Sequence, residues 1–230
     1  YEEDPHFMNR LDSKKHLIGF KNGVFDFEKK EFRRGLPEDY ISLSTKMKYI
    51  PIDRTNEKHV TIIQEINDFM ASLFPDENIR KYMWQHLASV LIGGNKPQTF
   101  NIYNGSGRNG KSKLVELMTL IFGEYIGVVP ITLVTSSRQS IGGLSPEVAQ
   151  LKGKRYAVMQ EPTKGAKLNE GIMKELTGGD PIQARGLYSE SEIFVPQFKL
   201  AVGTNNLFDI DSNDDGTWRR IRKITFPSKF

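Results

Sequence analysis

The chain has 230 residues, 38% of them apolar and 26% charged, a composition that suits one large folded domain with an extension and excludes a disordered chain. It contains no cysteine and no apolar run near the ~20 residues of a membrane span, which excludes disulfides, Cys-ligated zinc and a membrane helix, and we expect an intracellular protein. The net charge of +4 permits nucleic acid binding without establishing it, and basic residues concentrate at 152–155 and 219–223.

The first predicted elements are a hairpin and a helical pair. Residues 16–32 alternate apolar and polar around Asn22-Gly23, a dipeptide that tolerates positive φ and suits a tight turn. We therefore assign residues 1–55 to a β-rich segment. Residues 56–92 show apolar residues at helical spacing with a break at Pro75-Asp76. This pattern predicts two packed helices in a module that spans residues 56–96.

From residue 97 onward, short apolar runs alternate with loops and helices, which is typical of an α/β fold with a parallel sheet covered on both faces. We predict one core domain over residues 97–230, with helices at Lys111–Phe122 and Asn169–Thr177. The predicted strands are Phe100–Tyr103, Gly127–Ile131, Arg155–Gln160, Lys199–Gly203 and Arg220–Phe226.

A phosphate-binding loop follows the first of these strands. Residues 105–112 fit the pattern G-x-x-x-x-G-K-[ST], with an apolar strand before them and an amphipathic helix after them. Gly105 and Gly110 allow the backbone to wrap phosphate oxygens, Lys111 reaches the β and γ phosphates, and Ser112 offers a hydroxyl to Mg²⁺. The predicted nucleotide-binding residues are Gly105, Ser106, Gly107, Arg108, Asn109, Gly110, Lys111, Ser112 and Lys113.

A second motif ends in an acid. The apolar strand at residues 155–160 is followed by Glu161, where a parallel sheet delivers side chains to a nucleotide. Many P-loop ATPases carry an acid one residue earlier, but Gln160 has a neutral amide. Glu161 is therefore the candidate to bind the metal, to activate the attacking water, or both; a solvated glutamate without a role is the alternative.

Two later motifs supply an amide and a pair of guanidinium groups. Asn205, with Asn206 as second choice, follows an apolar strand and can hydrogen-bond the γ-phosphate and the attacking water, although such a residue can also be a simple turn former. Arg220 is the candidate finger that stabilises phosphoryl charge on a neighbouring subunit's ATP, and Arg219 could exchange roles with it. An ordinary basic strand is the alternative for the arginine pair.

Residues 180–197 resemble a hairpin inserted into the core, with two β-prone arms around a tip at residues 186–191. Arg185 and Tyr188 near this tip could contact backbone phosphates and bases of a single strand in a central channel. A hairpin with a purely structural role is the alternative.

The order of these motifs resembles that of superfamily 3 helicases, specifically the poxvirus-type primase-helicase group. Residues 19–26 also look like the segment that precedes the motor in that group, so the resemblance covers nearly the whole chain. The motifs that carry it are Gly105–Ser112, Val158–Pro162, Lys174–Asp180, Lys199–Asn205 and Trp218–Arg220.

The resemblance implies an AAA+-like core, ATP and Mg²⁺ as cofactors, a homo-hexameric ring and 3′-to-5′ movement along single-stranded DNA. By position it assigns Lys111 and Ser112 to nucleotide and metal, and Glu161, Asn205 and Arg220 to catalysis. It also implies that the core continues past residue 230 and that a primase domain can lie outside these residues. Gly186 and Leu187 depart from the pattern, because relatives carry basic side chains at the hairpin tip.

Three functions share these motifs. The leading hypothesis is an ATP-driven DNA helicase motor for viral replication. An ATP-gated DNA-loading platform would bind DNA without processive unwinding. A P-loop kinase would need Gly105–Ser112 but neither the hairpin nor the distal arginines.

Overall fold

A three-stranded antiparallel sheet lies near the start of the chain, in strand order β1-β2-β3. The structure is a computed structural model that describes residues 7–135, 145–160, 166–188, 190–212 and 214–230, with Gln160 described by its backbone alone. The elements of this first segment are α1 (Phe7–Arg10), β1 (Leu17–Phe20), β2 (Gly23–Asp26) and β3 (Glu31–Arg33).

The predicted N-terminal hairpin is confirmed, but its turn lies one residue earlier than expected. Phe20 pairs with Gly23, so Lys21 and Asn22 form the loop and Gly23 already belongs to β2. A Cβ atom on Gly23 would lie 2.5 Å from the Arg33 carbonyl oxygen. The glycine is therefore required by the close approach of β3, a strand that the sequence pattern did not predict.

Two helices follow, α2 (Glu57–Leu73) and α3 (Glu77–Ser89), and they confirm the predicted helical pair. Each begins at a side-chain cap, because the Asn56 side chain accepts from the Lys58 N–H and the Asp76 side chain accepts from the Asn78 and Ile79 N–H groups. In the ranges that the structure describes, no helix is both long enough and apolar enough to cross a membrane.

The core is a five-stranded sheet in which every neighbouring pair is parallel, in the order β10-β4-β9-β6-β5. This confirms the predicted α/β class and its parallel sheet, and α4 has the predicted bounds. The four-residue helices α5, α6 and α8 were not predicted. In chain order the elements are β4 (Phe100–Asn104), α4 (Lys111–Phe122), β5 (Ile126–Val128), α5 (Thr132–Thr135), α6 (Pro146–Ala149), β6 (Tyr156–Gln160), α7 (Glu170–Gly178), β7 (Ile182–Arg185), β8 (Ser191–Phe194), β9 (Lys199–Thr204), α8 (Asp215–Trp218) and β10 (Ile221–Thr225).

Both faces of this sheet are covered, which gives three layers. On one face the buried side chains of β4, β6, β9 and β10 join those of α2, α3, α4 and β1 in a single apolar cluster that includes Ile18, Met70 and Tyr103. On the other face, α7 and the β7–β8 hairpin cover a second cluster around Phe100 and Met159. The N-terminal segment and the helical pair therefore share a hydrophobic core with the parallel sheet.

Arg155 joins the N-terminal sheet and α3 to the amino edge of the parallel sheet, the edge at which its strands begin. Its side chain is 2% exposed and donates to the carbonyl oxygens of Leu91, at 2.8 Å, and Leu17, at 2.5 Å. Its guanidinium carbon also lies 5.3 Å from the centre of the Tyr125 ring. Burial lowers the pKa of Arg155 to about 10.

Lys199, the first residue of β9, is a second buried cation at this edge. Its amino group donates to the carbonyl oxygens of Ser89 and Ile92 at the carboxyl end of α3. Burial, together with the nearby charge of Arg155, lowers the pKa of Lys199 to about 7. Cationic side chains thus bond carbonyl groups at the last residue of α3 and in the turn that follows it.

Candidate nucleotide-binding site

The carboxyl ends of β4, β9 and β6 meet at one edge of the sheet. Asn104 pairs with Thr204, and the backbone of Gln160 pairs with Gly203. The loop that follows Asn104 and the residues that follow Thr204 therefore emerge side by side, as parallel strands require. This edge contains the predicted phosphate loop and Asn205.

Left-handed backbone shapes the phosphate loop. Gly107 has φ 93°, Arg108 has φ 48° and Gly110 has φ 82°. Gly110 is also the N-cap of α4, and it contributes no side-chain hydrogen bond to the helix. No side chain of the described residues caps this helix start, and the helix dipole favours negative charge at this position.

Asn109 lies inside the loop. It is 4% exposed, and its Nδ2 atom has no hydrogen-bond partner among the described residues. A Cβ atom on Gly105 would lie 2.0 Å from this Nδ2, so only glycine at position 105 leaves room for the amide. A buried donor without an acceptor is costly, and a phosphate oxygen is a ligand that would satisfy it.

The structure brings the predicted lysine and the predicted sensor together. The Lys111 amino group donates to the Gly105 carbonyl oxygen at 2.5 Å and to Asn205 Oδ1 at 3.1 Å. Ser112 is exposed in the first turn of α4. Lys113 is exposed as well and pairs with Glu116 at 2.8 Å. The backbone N–H of Asn206 donates to the Thr204 hydroxyl at 3.0 Å, which fixes the turn that follows β9.

A cavity of about 490 Å³ opens beside this loop. Its donors are backbone N–H groups, the Lys111 amino group and the Ser112 hydroxyl, a set that suits a triphosphate and its Mg²⁺ ion. Two aromatic side chains, Phe69 and Phe230, add an apolar part to its wall. The full lining is Phe69, Gly107, Arg108, Asn109, Gly110, Lys111, Ser112, Lys113, Asn205 and Phe230.

Glu161, the predicted acid, and the side chain of Gln160 lie outside the described part of the chain. Elsewhere, within the part of the chain that the structure describes, no group of three or more His, Asp or Glu side chains is placed to hold a metal ion. The roles of Glu161 as catalytic acid and metal ligand therefore stay predictions.

The arginine pair lies at the opposite, amino edge of the sheet. Arg219 and Arg220 precede β10, and Ile221 pairs with Phe100, the first residue of β4. Since a strand rises about 3.3 Å per residue, β4 places the arginines on the order of 17 Å from the phosphate loop. The structure does not bring them to the loop of their own chain.

The two arginines differ in exposure but share one acceptor. Arg219 is exposed, whereas Arg220 is 8% exposed and donates to the Gly216 carbonyl oxygen at 2.5 Å. Gln98 Oε1 accepts from both, at 2.6 Å from Arg219 and 2.9 Å from Arg220. Burial and the adjacent charge of Arg219 lower the pKa of Arg220. The Gln98 amide also donates to the Gly178 carbonyl oxygen at 2.8 Å, at the end of α7.

Lys174 holds the short helix that precedes the arginines. Its amino group pairs with Asp214, which caps α8 by accepting from the N–H groups of Gly216 at 3.1 Å and Thr217 at 3.2 Å. The hydrogen bond from Lys174, with those from the Gly216 N–H and the Thr217 hydroxyl, lowers the pKa of Asp214 to about 2. Lys174 belongs to a motif that carried the family resemblance, and the structure gives it this packing role.

The inserted hairpin is confirmed as the antiparallel pair β7–β8. Tyr188 near its tip is fully exposed and has φ 55°, a conformation that is uncommon for a residue with a side chain. Arg185 is exposed at the end of β7, and its N–H donates to the Ser145 hydroxyl at 3.1 Å. An ion pair of 2.6 Å between Lys152 and Glu192 connects β8 with the core. The hairpin leads into the start of β9, so it belongs to the amino edge.

Three residues of these sites were not predicted from the sequence. Phe69 has helical apolar spacing, which indicates only a core position. Gln98 and Phe230 lie outside the motifs, and their contacts join segments far apart in the chain, for which a local pattern gives no signal.

The parallel sheet and the glycine-rich loop after β4 define a P-loop fold of the α/β class. Residues 103–220 match the family described as "Family of unknown function (DUF5906)", and residues 2–87 match "D5 N terminal like". The chain therefore belongs to the first of these families, and the matches confirm its resemblance to the poxvirus-type primase-helicases of superfamily 3.

Relatives in large DNA viruses match almost the whole chain. A provisionally named helicase, L207/L206, of Acanthamoeba polyphaga mimivirus is 45% identical over 227 residues, which are 99% of this chain and 23% of that protein. A provisionally named helicase, 121R, of Invertebrate iridescent virus 3 is 37% identical over 100% of this chain and 24% of that protein. A provisionally named primase, C962R, of African swine fever virus is 28% identical over 97% of this chain. The chain thus spans about a quarter of the length of the first two relatives.

A solved structure shares the fold. The apo structure of the NrS-1 C-terminal region is 16% identical, with a TM-score of 0.55 over 71% of this chain and 38% of that one. This likeness supports the architecture of the core.

Proposed function

We propose that this chain is the ATP-hydrolysing motor of a DNA helicase that acts in the replication of a large DNA virus, with a primase domain possible on the same polypeptide. The observation that carries the proposal is the contact between Lys111 and Asn205 at the cavity of the phosphate loop. The helicase and primase names of the viral relatives agree with it.

The proposed chemistry assigns each group at the carboxyl edge a separate task. The N–H groups of the loop and of the first turn of α4 hold the phosphates, and the Lys111 amino group neutralises charge on the β and γ phosphates. The Asn205 amide orients the attacking water, and Glu161 accepts its proton. Ser112 would be a ligand of Mg²⁺, which when bound neutralises charge that develops on the phosphate oxygens.

The position of the arginines supports an ATP site shared between subunits. Arg219 and Arg220 lie at the edge opposite the phosphate loop, so either can act as a finger only on the ATP of another subunit. Arg219 is exposed and can reach a neighbour without leaving a buried position, whereas Arg220 is nearly buried. The homo-hexameric ring is the assembly that the family resemblance implies.

The hairpin is the proposed contact with single-stranded DNA. Tyr188 exposes its whole ring, which can stack on a base without regard to sequence. Arg185, at the end of the adjacent strand, can contact the phosphate backbone. Such phosphate contacts release counterions, so the affinity for DNA should fall as the salt concentration rises.

The test is ATP turnover by the full-length protein with and without single-stranded DNA. We expect Lys111→Ala to lower turnover at least about 100-fold under both conditions, because the phosphates lose their cation. We expect Tyr188→Ala to retain turnover without DNA and to lose the stimulation by DNA. Lys81→Ala, which removes an exposed lysine of α3, is the control.

Further outcomes separate the alternatives. Turnover that DNA does not change, with a phosphorylated small molecule as product, would contradict the proposal in favour of a kinase. Turnover stimulated by DNA, but without strand displacement on a forked duplex at saturating ATP, would favour a loading platform.

A further inference from the structure

The cavity beside the phosphate loop has an aromatic wall that lies outside the loop motif. Phe69, on the last turns of α2, is half-buried, and Phe230 is 66% exposed. Both line the same cavity as Lys111 and Asn205. Since a triphosphate occupies only the part of the site next to the loop, a ligand that carries a base must extend along another part of the wall.

The contacts around these rings hold them beside the loop. The Phe230 N–H donates to the Arg108 carbonyl oxygen at 2.9 Å, and the Ser228 hydroxyl donates to the Ser72 carbonyl oxygen at 2.5 Å. The segment that follows β10 is therefore bonded both to the phosphate loop and to the end of α2.

The end of α2 also packs directly on the loop. A Cβ atom on Gly110 would lie 2.2 Å from Leu73 Cδ2 and 3.3 Å from the Phe230 ring. Leu73 itself is fully buried in the core, whereas Phe69, one helical turn earlier, faces the cavity. The position of Phe69 relative to the phosphate loop is thus set by the packing of α2 on the loop.

We propose that Phe69 and Phe230 form the wall on which the base of the bound nucleotide stacks, so that the helical module supplies part of the nucleotide site. This inference rests on the proposed function, since it takes the ligand of the loop to be a nucleoside triphosphate. Flat aromatic rings at a cavity wall are the groups that bind a base by stacking. Beyond the loop and the first turn of α4, the described lining of this cavity consists of these two rings and Asn205.

The test compares two ligands that differ by the nucleoside. The affinities of the full-length protein for ATP and for inorganic tripolyphosphate, each with Mg²⁺, are measured by calorimetry. We expect Phe69→Ala and Phe230→Ala each to weaken ATP binding about tenfold and to leave tripolyphosphate binding unchanged, because stacking on a base is lost while the phosphate cradle remains. Phe69→Trp should retain the affinity for ATP.

Controls separate base stacking from a damaged loop. Ile62→Ala removes an exposed apolar side chain of the same helix outside the cavity and should change neither affinity. Lys111→Ala should weaken both ligands. If Phe69→Ala and Phe230→Ala weaken the binding of both ligands equally, or if neither weakens ATP binding, the base-stacking inference is wrong. The proposed function would still stand in either case. Wild-type protein that binds neither ligand would overturn the proposed function as well.

Discussion

Lysine side chains at the two edges of the parallel sheet have opposite roles. At the carboxyl edge, Lys111 faces an open cavity beside the N-terminus of α4. At the amino edge, Lys199 is buried and donates to carbonyl groups at the C-terminus of α3. The difference follows from helix direction, because a helix N-terminus presents N–H groups to anions and a C-terminus presents carbonyl groups to cations.

The cations of the basic run at residues 152–155 are bonded within the fold. The basic run at residues 152–155 permitted nucleic acid binding as a sequence pattern. In the structure Arg155 is 2% exposed and bonded to carbonyl oxygens, and Lys152 pairs with Glu192. Neither side chain is presented to a polyanion as a free charge. A basic run in sequence therefore gives no measure of basic surface until burial is known.

The largest expected effect is a loss of ATP turnover when an arginine of the amino edge is replaced. We expect Arg219→Ala to lower ATP turnover of the assembled ring about 10³-fold or more, as removal of a finger does, with an unchanged melting temperature because the side chain is exposed. We expect Arg220→Ala to lower the melting temperature, because it removes hydrogen bonds to Gly216 and Gln98. Turnover and thermal unfolding are measured on the same preparations.

Rings mixed from two variants are the control for an ATP site that two subunits share. Arg219→Ala and Lys111→Ala subunits, each inactive alone, should recover part of the turnover when combined, because some interfaces then contain both native residues. Full turnover by a ring of Arg219→Ala subunits would place the finger elsewhere.

A smaller effect is expected at Arg155, where a substitution should change the free energy of unfolding alone. We expect Arg155→Met to lower the free energy of unfolding by about 2–5 kcal/mol, because it leaves the buried carbonyl groups of Leu17 and Leu91 without donors. Denaturant unfolding gives this value, and Arg54→Met, at an exposed arginine, is the matched control. Equal stability of the two variants would mean that water or a neighbouring group replaces the guanidinium.

The smallest effect is a change in the pH dependence of stability. In the folded chain the pKa of Lys199 is lowered to about 7 from 10.5, so between these values the unfolded chain keeps a proton that the folded chain has lost. The free energy of unfolding should therefore rise with pH in this window. We expect Lys199→Met to reduce that slope by up to about 1.4 kcal/mol per pH unit. Unfolding at pH values from about 7 to 9.5 tests this, and parallel profiles for the two proteins would refute it.

The sequence predicted the carboxyl edge better than the amino edge. The phosphate-loop pattern fixes the start of α4, and the shared edge of parallel strands predicts that Asn205 lies near Lys111, as it does. The short helix α8 has too few residues for a periodic signal. Gln98 acts through contacts with residues far along the chain, so nothing in its neighbourhood in sequence indicates its role.

Gln98 connects the arginine pair at the amino edge with the end of α7. One amide group is bonded to both arginines through its oxygen and to Gly178 through its nitrogen. Gly178 ends α7, and the hairpin strand β7 begins at Ile182, a few residues later. In the proposed function, the arginines that face a neighbour's nucleotide and the hairpin that contacts DNA are thus connected through one amide group.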